Sequence, residues 1–391
     1  MTDPSAEPKG TVHFAMRDGI AILKIDNPPV NAGSHAVRQG LVDGVEKAKA
    51  ADVKAAVLCG AGRCFVAGSD LREFGKPLVS PELPDVIATL EAAPFPVVAA
   101  LHGVALGGGL EHALGCDWRI AEPTTKLGLP EVSLGFVPGA GGTLRMPRLV
   151  GAEKATELIC RASRISAADA LAMGLIDVLA DGDLLEAALQ FLSEPRSKRR
   201  ARDLPAPLAD KPNLDAIAAK MMRRGKSRPN VAEAIRLVAA SDRPADLALA
   251  DERTVFQTLR LSGDAFALRY LFFAERKAAQ IDGLDDVAAA PVSRVGVVGG
   301  GTKGQGIARA FLAAGLPVVL AERDETALAS SLDRTKDGLV RQVSAGRLSQ
   351  KTAEAQANAL SGTVHFADLA ACDLVIEAVF EDLDLKKDVL A

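Results

Sequence analysis

Two glutamates beside glycine-rich turns are the residues of this chain best suited to do chemistry. Glu111 follows three glycines at 107–109, and Glu131 follows a Gly-Leu-Pro turn. Positioned carboxylates in a partly dry pocket transfer protons as general acids and bases. Glycine lets a ligand oxygen approach backbone N–H groups closely, which is the arrangement of an oxyanion hole. The pattern therefore favours proton transfer beside a carbonyl group that gains negative charge.

A strand and a helix are needed to position Glu111. Residues 97–101 are apolar and predict a strand, and the residues after the glycines have helical spacing. The glycines then lie where a helix begins, and N–H groups there lack intrahelical partners and favour negative charge. Glu111 is predicted in the first turn of this helix. The proline turn is expected to hold Glu131 out of the apolar segment rather than inside a packed face.

The surrounding sequence predicts an α/β domain. Extended runs at 12–16 and 20–25 flank an Asp-Gly hairpin signal, and another run at 55–59 is separated from them by a helical pattern. Periodicity alone does not distinguish a spiral of ββα units from a doubly wound sheet.

Composition indicates an ordinary cytoplasmic enzyme. The chain has 391 residues, 48% of them hydrophobic and 25% charged, so it is long enough for two or three domains with large cores. The net charge of −4 with dispersed basic residues argues against a nucleic-acid groove. The N-terminal ten residues are polar and no long apolar run follows, so we expect neither secretion nor a membrane span.

The cysteines predict no metal site. They are scattered, with neither CxxC spacing nor Cys/His pairing, which argues against both zinc and a disulfide framework. We expect buried or free thiols at Cys59, Cys64, Cys116, Cys160 and Cys372.

The chain divides into three predicted parts. Residues 1–190 form the α/β domain, 191–290 a helical linker region, and 291–391 part of a nucleotide-binding domain. A proline-bearing basic segment with charges at 198–202 is interpreted as a solvated connection, with a nucleic-acid or CoA-phosphate patch as the alternative. Residues 213–280 are rich in Ala, Leu and Arg and are predicted to be helical.

The third part opens with a glycine pattern in a specific context. Residues 299–304 read Gly-Gly-Gly-Thr-Lys-Gly, directly after an apolar strand predicted at 294–298 and before a helical run. A second strand is predicted at 318–320, and Glu322 follows it. A strand, a GxGxxG turn and a helix followed by an acidic residue predict a dinucleotide site.

Each residue of this pattern has a physical role. Gly299 permits the tight turn, Gly301 lets the backbone approach a pyrophosphate, and Gly304 allows the helix to pack closely on the strand. Glu322 is assigned to accept hydrogen bonds from an adenosine ribose. A purely structural glycine turn is the alternative.

Five further segments carry a resemblance to a known family. They are PPVNA at 28–32, CFVAGSDL at 64–71, LPEV at 129–132, PGAGGT at 138–143 and RLVG at 148–151. With the glycine and glutamate run, they resemble the enoyl-CoA hydratase/isomerase (crotonase) family, specifically the hydratase part of multifunctional beta-oxidation enzymes. The third part is similar to 3-hydroxyacyl-CoA dehydrogenases, through the glycine turn and the DLVIEAV segment at 373–379.

The resemblance implies a ββα-spiral fold and a set of catalytic roles. The backbone N–H groups of Ser69 and Gly108 would stabilise the thioester oxygen of an acyl-CoA substrate, and Ser69 stands where alanine is usual. Glu111 would activate water, and Glu131 would deliver a proton to C2 of a trans-2-enoyl-CoA. The two roles are open to sharing or reversal.

Several reactions remain compatible with this resemblance. Hydration benefits from two carboxylates, whereas a dedicated enoyl-CoA isomerase needs one, so the pair favours a hydratase; isomerase activity through Glu131 can accompany it. Hydrolysis, decarboxylation or dehalogenation on the same scaffold is an alternative, as is a catalytically silent acyl-CoA-binding fragment.

Ligand contacts are also implied by the resemblance. Coenzyme A, as part of the substrate, is expected along two loops, at Asn31 and Ala32 and at Ala67 and Gly68. NAD is expected at the glycine turn of the third part. The family relationship favours a monomer.

The dehydrogenase chemistry is expected to be incomplete. In that family the catalytic histidine lies in an HxFxP segment, which this sequence lacks. None of the histidines present is placed to replace it: His13, His35, His102, His112 and His365. We therefore expect a fragment of a longer multifunctional protein, in which NAD binding is possible without turnover.

Overall fold

A computed structural model describes residues 10–278, 280–281, 283–284 and 287–390. The polar N-terminal segment lies, except for Gly10, outside the described residues. The chain forms two compact units, 1–280 and 281–391.

The first unit contains two sheets. A six-stranded sheet has the order β1-β2-β3-β4-β6-β9, in which β1 is antiparallel to β2 and all later pairs are parallel. A three-stranded sheet has the order β5-β7-β8. The strands are β1 (Thr11–Arg17), β2 (Ile20–Asp26), β3 (Ala55–Gly60), β4 (Val97–Leu101), β5 (Val104–Leu106), β6 (Trp118–Ala121), β7 (Lys126–Gly128), β8 (Ile165–Ser166) and β9 (Val178–Leu179).

Helices connect these strands and cover both sheets. In chain order they are α1 (His35–Ala50), α2 (Leu83–Glu91), α3 (Gly108–Gly115), α4 (Gly142–Val150), α5 (Ala152–Cys160), α6 (Ala167–Ala172), α7 (Leu184–Phe191), α8 (Lys211–Arg224), α9 (Pro229–Ala239), α10 (Ala245–Arg260) and α11 (Gly263–Ala278). Short 3₁₀ turns lie at Leu71–Glu73, Glu131–Leu134 and Ala201–Asp203.

The predicted strands are confirmed, and the hairpin between β1 and β2 shows why. Asp18 and Gly19 both have positive φ, 53° and 78°, as a two-residue turn between twisted strands requires. The run at 97–101 is β4, in which every residue is buried, as expected of a central parallel strand. Its carboxyl end leads toward β5 and the glycines that begin α3.

The predicted helical segment is confirmed as α8 to α11, and it packs on the α/β core. α8 and α9 lie against α5, while α9 and α10 lie against α4. Leu214, Val231 and Phe256 from this segment are buried in the same apolar cluster as the strands. The segment therefore forms part of the first unit.

The basic segment at 198–202 is not the solvated connection that its composition suggested. Lys198 pairs with buried Asp117 at 2.9 Å, and Arg199 pairs with Asp177 at 2.9 Å. Between the charges, Ala201 is 1% exposed. These cations neutralise acids of the unit itself, which leaves little charge for a nucleic acid or a CoA phosphate.

The second unit is a four-stranded parallel sheet of order β12-β11-β10-β13 with helices between its strands. This is the Rossmann-type arrangement that the sequence predicted. Its elements are β10 (Val295–Val298), α12 (Thr302–Ala313), β11 (Val318–Ala321), α13 (Glu325–Ser344), α14 (Gln350–Asn358), β12 (Leu360–Thr363), a 3₁₀ turn (Phe366–Ala371), β13 (Leu374–Glu377) and α15 (Leu383–Leu390).

Two findings concern the whole of the described chain. Each of the five cysteines is a free thiol, and all except Cys372 are buried. Among the helices of the described residues, none has the length and apolar character needed to cross a membrane.

Candidate active site

A cavity of about 350 Å³ opens into the first unit and brings the two predicted glutamates together. Glu111 comes from α3 and Glu131 from the 3₁₀ turn after β7, and both line the same cavity. Most of the exposed lining is apolar. The site is thus a largely apolar cleft with a few convergent polar groups, as is usual for small-molecule sites.

Glu111 is held by backbone donors. Its side chain is almost fully buried, and Oε1 accepts hydrogen bonds from the N–H groups of Ala140 and Gly142, at 2.8 and 3.0 Å. Burial raises the pKa of Glu111 above its ordinary value, while these two donors and the charge of Arg145 oppose the rise. The donors therefore favour the ionised form of this carboxylate.

Glu131 has a different environment, although it is buried as well. Its Oε2 has no hydrogen-bond partner among the described residues. Burial, and secondly the negative charge of Glu111, raise the pKa of Glu131 well above its ordinary value. Of the two carboxyl groups, Glu131 is the one whose surroundings favour the protonated form more strongly. The turn after Pro130 places Glu131 on the cavity wall, where it is buried.

The two predicted oxyanion donors lie side by side. A side chain added to Gly108 would overlap the Ser69 hydroxyl and lie 3.4 Å from the Ser69 backbone nitrogen. Gly108 begins α3, so its N–H belongs to the first turn, which has no intrahelical acceptors. Gly107 has a φ of 52°, and a Cβ added to it would lie 3.0 Å from a Glu131 carboxylate oxygen. Glycine at 107 and 108 therefore lets Ser69 and the Glu131 carboxyl group lie close to the start of α3.

The helical segment contributes cavity walls that local sequence patterns did not reveal. Phe256 of α10 packs edge-on against Phe74 and Phe136, with ring centroids 5.7 Å apart in both pairs. Arg253, also on α10, lines the cavity and lies over the Phe256 ring. Phe256 shares its apolar character with the neighbouring core residues, so only the packing of α10 identifies it as a wall of the site.

A third buried carboxyl group, Glu252 of α10, was also missed. It is 1% exposed and accepts hydrogen bonds from Gly141 N at 2.5 Å and Thr143 N at 2.8 Å. Burial, and secondly the charge of Glu111, raise the pKa of Glu252 to about 8. It belongs to a helix far from the family motifs, so no motif spacing could have pointed to it.

The predicted CoA loops are only partly in the cavity. Ala67 and Gly68 line it beside Ser69, whereas Asn31 and Ala32 are not among its lining residues. Asn31 is buried and donates to the carbonyl groups of Ala61 and Cys64, both at 2.8 Å. Its side chain therefore links the loop at 27–32 to the segment at 61–64.

In the second unit the glycine turn has the shape a dinucleotide requires. Gly299 has a φ of 92°, and a side chain at Gly304 would overlap the Gly299 carbonyl oxygen, so α12 packs tightly on β10. By contrast, a Cβ at Gly301 would meet no protein atom within 4 Å. Space in front of a helix N-terminus suits a phosphate group, so the residues present fit NAD.

Glu322 lies next to this turn. Its Oε1 accepts hydrogen bonds from Gly300 N at 2.8 Å and from Ser331 Oγ at 3.0 Å. The side chain is thus fixed beside the turn by one of its two oxygens.

Comparison with known proteins agrees with both units. The enoyl-CoA hydratase/isomerase family matches residues 15–204, and the NAD-binding domain family of 3-hydroxyacyl-CoA dehydrogenases matches residues 294–391. A solved enoyl-CoA hydratase/isomerase from Pseudoalteromonas atlantica superposes with a TM-score of 0.52 at 23% identity, over 68% of this chain and 97% of that one, which shows the fold.

Two curated relatives extend over nearly the whole chain. The peroxisomal bifunctional enzyme of Cavia porcellus is 39% identical over 97% of this chain and 54% of its own length. The glyoxysomal fatty acid beta-oxidation multifunctional protein MFP-a of Cucumis sativus is 35% identical over 97% of this chain and 56% of its own length. The chain thus spans about half the length of these relatives. It joins a domain of the enoyl-CoA hydratase/isomerase family to a 3-hydroxyacyl-CoA dehydrogenase NAD-binding domain, and is similar to multifunctional beta-oxidation enzymes over about half of their length.

Proposed function

We propose that the first unit hydrates a trans-2-enoyl-CoA to a 3-hydroxyacyl-CoA. The observation that carries the proposal is the pair of buried glutamates with unlike environments in one cavity. Glu111 has backbone donors that favour its ionised form, and Glu131 has an unpartnered oxygen and a raised pKa. A base and an acid in one site are what the addition of water across a double bond needs.

The steps follow from those two states. Glu111 removes a proton from a water molecule as the oxygen of that water bonds to C3. Electron density then moves from the double bond to the thioester oxygen, where the N–H groups of Ser69 and Gly108 stabilise it. Glu131 finally gives a proton to C2, and the thioester carbonyl group is restored. Glu111 ends protonated and Glu131 ionised, and proton exchange through solvent restores the starting state.

A second activity is favoured by one observation. Isomerisation of a 3-enoyl-CoA to the 2-enoyl isomer needs one group that moves a proton between C4 and C2. In its ionised form, Glu131 can take the proton from C4 with its unpartnered Oε2 and then return it to C2. We include this isomerase activity in the proposal as an accompaniment to hydration.

The substrate contacts are proposed from the cavity lining. The thioester oxygen lies at Ser69 and Gly108, and the CoA moiety leaves along Ala67 and Gly68 toward the loop of Asn31 and Ala32. Leu71, Phe74 and Phe256 surround the acyl chain.

The hydratase proposal is tested by spectrophotometry. The purified chain is mixed with a short trans-2-enoyl-CoA, and the conjugated enoyl absorbance is followed. We expect this absorbance to fall with turnover, and the E111Q and E131Q variants to bind acyl-CoA with a turnover about 10²- to 10⁴-fold lower. Release of free CoA instead would indicate a hydrolase, and unchanged absorbance with tight binding would indicate a silent binding protein.

For the second unit, we propose NAD binding at 299–304 with Glu322 on the adenosine ribose. The proposal is limited to binding, because the matched dehydrogenase family model describes only the NAD-binding domain. Titration with NAD, followed by calorimetry, tests it.

Three broader properties are proposed from the sequence. The first is the division of the sequence into regions 1–190, 191–290 and 291–391, of which the helical middle region packs as part of the first unit. The second is a monomeric state, which light scattering after size exclusion tests. The third is a cytoplasmic location. The two relatives are named peroxisomal and glyoxysomal. Imaging of the tagged natural protein distinguishes these locations.

A further inference from the structure

Four consecutive backbone N–H groups, at residues 140–143, point alternately to two buried carboxylates. Those of Ala140 and Gly142 donate to Glu111, and those of Gly141 and Thr143 donate to Glu252. The segment is the loop and first turn of α4, which carries the PGAGGT motif. The backbone of residues 140–143 is thus bound by two carboxyl groups that come from different helices, α3 and α10.

Glu252 reaches this stretch from α10, more than a hundred residues away in the sequence. Besides the two N–H groups, it accepts a hydrogen bond from Thr143 Oγ1 at 2.5 Å. N–H groups at the start of a helix normally have no intrahelical acceptor, and a side chain from elsewhere can cap them. Glu252 therefore acts as a cap supplied by another helix.

The cap bears on Glu111 because the backbone is continuous. A Cβ at Gly142 would lie 3.1 Å from Glu111 Oε1, so there is little free space between this backbone and the carboxylate. If Gly141 and Thr143 lost their acceptor, the 140–143 stretch would lose the restraint on its Glu252 side and keep the contacts of its carbonyl groups with Arg145 and Leu144. The N–H groups of Ala140 and Gly142 would then no longer be held in the orientation that donates to Glu111.

We propose that Glu252 is a positioning residue for the hydration site: by binding the alternate N–H groups of residues 141 and 143, it keeps those of 140 and 142 directed at Glu111. The helical segment would then be a working part of the hydratase. This inference rests on the proposed function for its kinetic consequence, although not for the contact itself.

A matched control lies on the same helix. Asp251 is adjacent to Glu252 and accepts hydrogen bonds from Arg236 and Arg243, at 2.8 and 3.2 Å. It touches neither the 140–143 stretch nor the cavity lining. The D251N variant removes a charge and a contact of α10 while leaving the cap in place.

The contact is tested without any substrate. Amide hydrogen exchange resolved to single residues is compared in the wild type, E252A and D251N. We expect E252A to speed exchange at all four amides, 140–143, and D251N to leave them unchanged. Faster exchange at 141 and 143 alone, with 140 and 142 still protected, would overturn the proposal. If E252A does not fold, it is replaced by E252Q, which keeps the volume and one acceptor oxygen. We then expect a smaller increase in exchange at the same four amides, and again no change in D251N.

The kinetic consequence is tested by a double-mutant cycle. We expect E252A to lower kcat about 10- to 100-fold with KM nearly unchanged, because a misplaced catalytic group costs rate rather than binding. In the E111Q background the same substitution should lower the residual rate by less than about threefold, since Glu252 acts through Glu111. Equal losses in both backgrounds would show that Glu252 only stabilises the fold. A wild type without hydration activity would refute the proposed function, while the exchange experiment would still decide the role of Glu252.

Discussion

In the first unit the candidate reacting groups are buried side chains fixed by distant segments, whereas in the second unit the candidate ligand contacts are the backbone of one short turn and the side chain of Glu322, which follows it in the chain. Glu111 depends on donors from 140–142, and these in turn contact α10. The turn at 299–304 is built from a strand, its glycines and the following helix. Activity at the cavity of the first unit therefore depends on the packing of the whole unit. Ligand binding at the turn of the second unit depends mainly on local backbone geometry.

Ion pairs show the same difference. In the first unit, Arg145 and Glu91 form a pair at 2.8 Å with side chains only 3% and 4% exposed. In the second unit, Lys386 pairs with Glu381 at 2.9 Å, and the Glu381 side chain is 86% exposed. Buried polar groups are costly unless they are partnered, so the buried pair of the first unit depends on both of its members more than the exposed pair of the second does.

The largest expected effect is the loss of hydration on removing either carboxylate. We expect E111Q and E131Q each to lower kcat about 10²- to 10⁴-fold, the usual contribution of a positioned acid or base. The enoyl absorbance assay measures this loss. Affinity for NAD serves as the control and should be unchanged. Full hydration activity in both variants would break the account of the first unit.

The next effect concerns stability. E91A leaves Arg145 buried without its partner and should destabilise the first unit by about 3–5 kcal/mol, the typical result of breaking a buried pair. Denaturant unfolding followed by the fluorescence of Trp118, the single tryptophan, reports on this unit. E381A, in the second unit, should leave unfolding of the whole chain, followed by circular dichroism, unchanged. A similar loss of unfolding free energy in E91A and E381A would contradict the difference between the buried and the exposed ion pair.

The pH dependence should sharpen the contrast between the two glutamates. Unfolded Glu131 ionises near the ordinary value of 4.5, and burial places its folded pKa well above this. Between those values the folded protein keeps a proton that the unfolded protein releases, so stability falls as the pH rises, by up to about 1.4 kcal/mol per pH unit. E131Q should make the slope of unfolding free energy against pH less steep; an unchanged slope would contradict a neutral Glu131.

The activity profile carries the same information. Because Glu111 must be ionised and Glu131 protonated, kcat should fall on both the acid and the alkaline side, with apparent pKa values that belong to the pair. A profile that rises steadily with pH would mean that no group acts as an acid.

The smallest expected effect lies in the second unit. A methyl group at Gly301 meets no protein atom within 4 Å, so G301A should leave folding unchanged. It would instead occupy space in front of the turn and weaken NAD binding about tenfold, which corresponds to about 1.4 kcal/mol. Calorimetric titration measures the affinity. Unchanged affinity would mean that the cofactor does not approach this backbone.

The same contrast explains what the sequence could and could not predict. The strand, turn and helix around 299–304 are close together in the chain, so their order and the roles of Gly299 and Gly304 in the turn were predictable and are confirmed. Glu111 and Glu131 were found through motifs, and the cavity brings them together.

What was missed depends on long-range packing. Glu252 and Phe256 reach the site only because α10 packs on α4, and no periodicity within α10 distinguishes a cap or a cavity wall from an ordinary core position. The cations at 198–202 appeared solvated for a similar reason, since their acidic partners Asp117 and Asp177 are remote in the sequence.

The central claim is that the two glutamates add water across a conjugated double bond. The most direct test is hydration of a short trans-2-enoyl-CoA in ¹⁸O-labelled water, with mass spectrometry of the intact thioester. We predict one labelled oxygen in a 3-hydroxyacyl-CoA made by the wild type and almost none made by E131Q. Free CoA with label in the released acid, or labelled product from E131Q at the wild-type rate, would contradict the account.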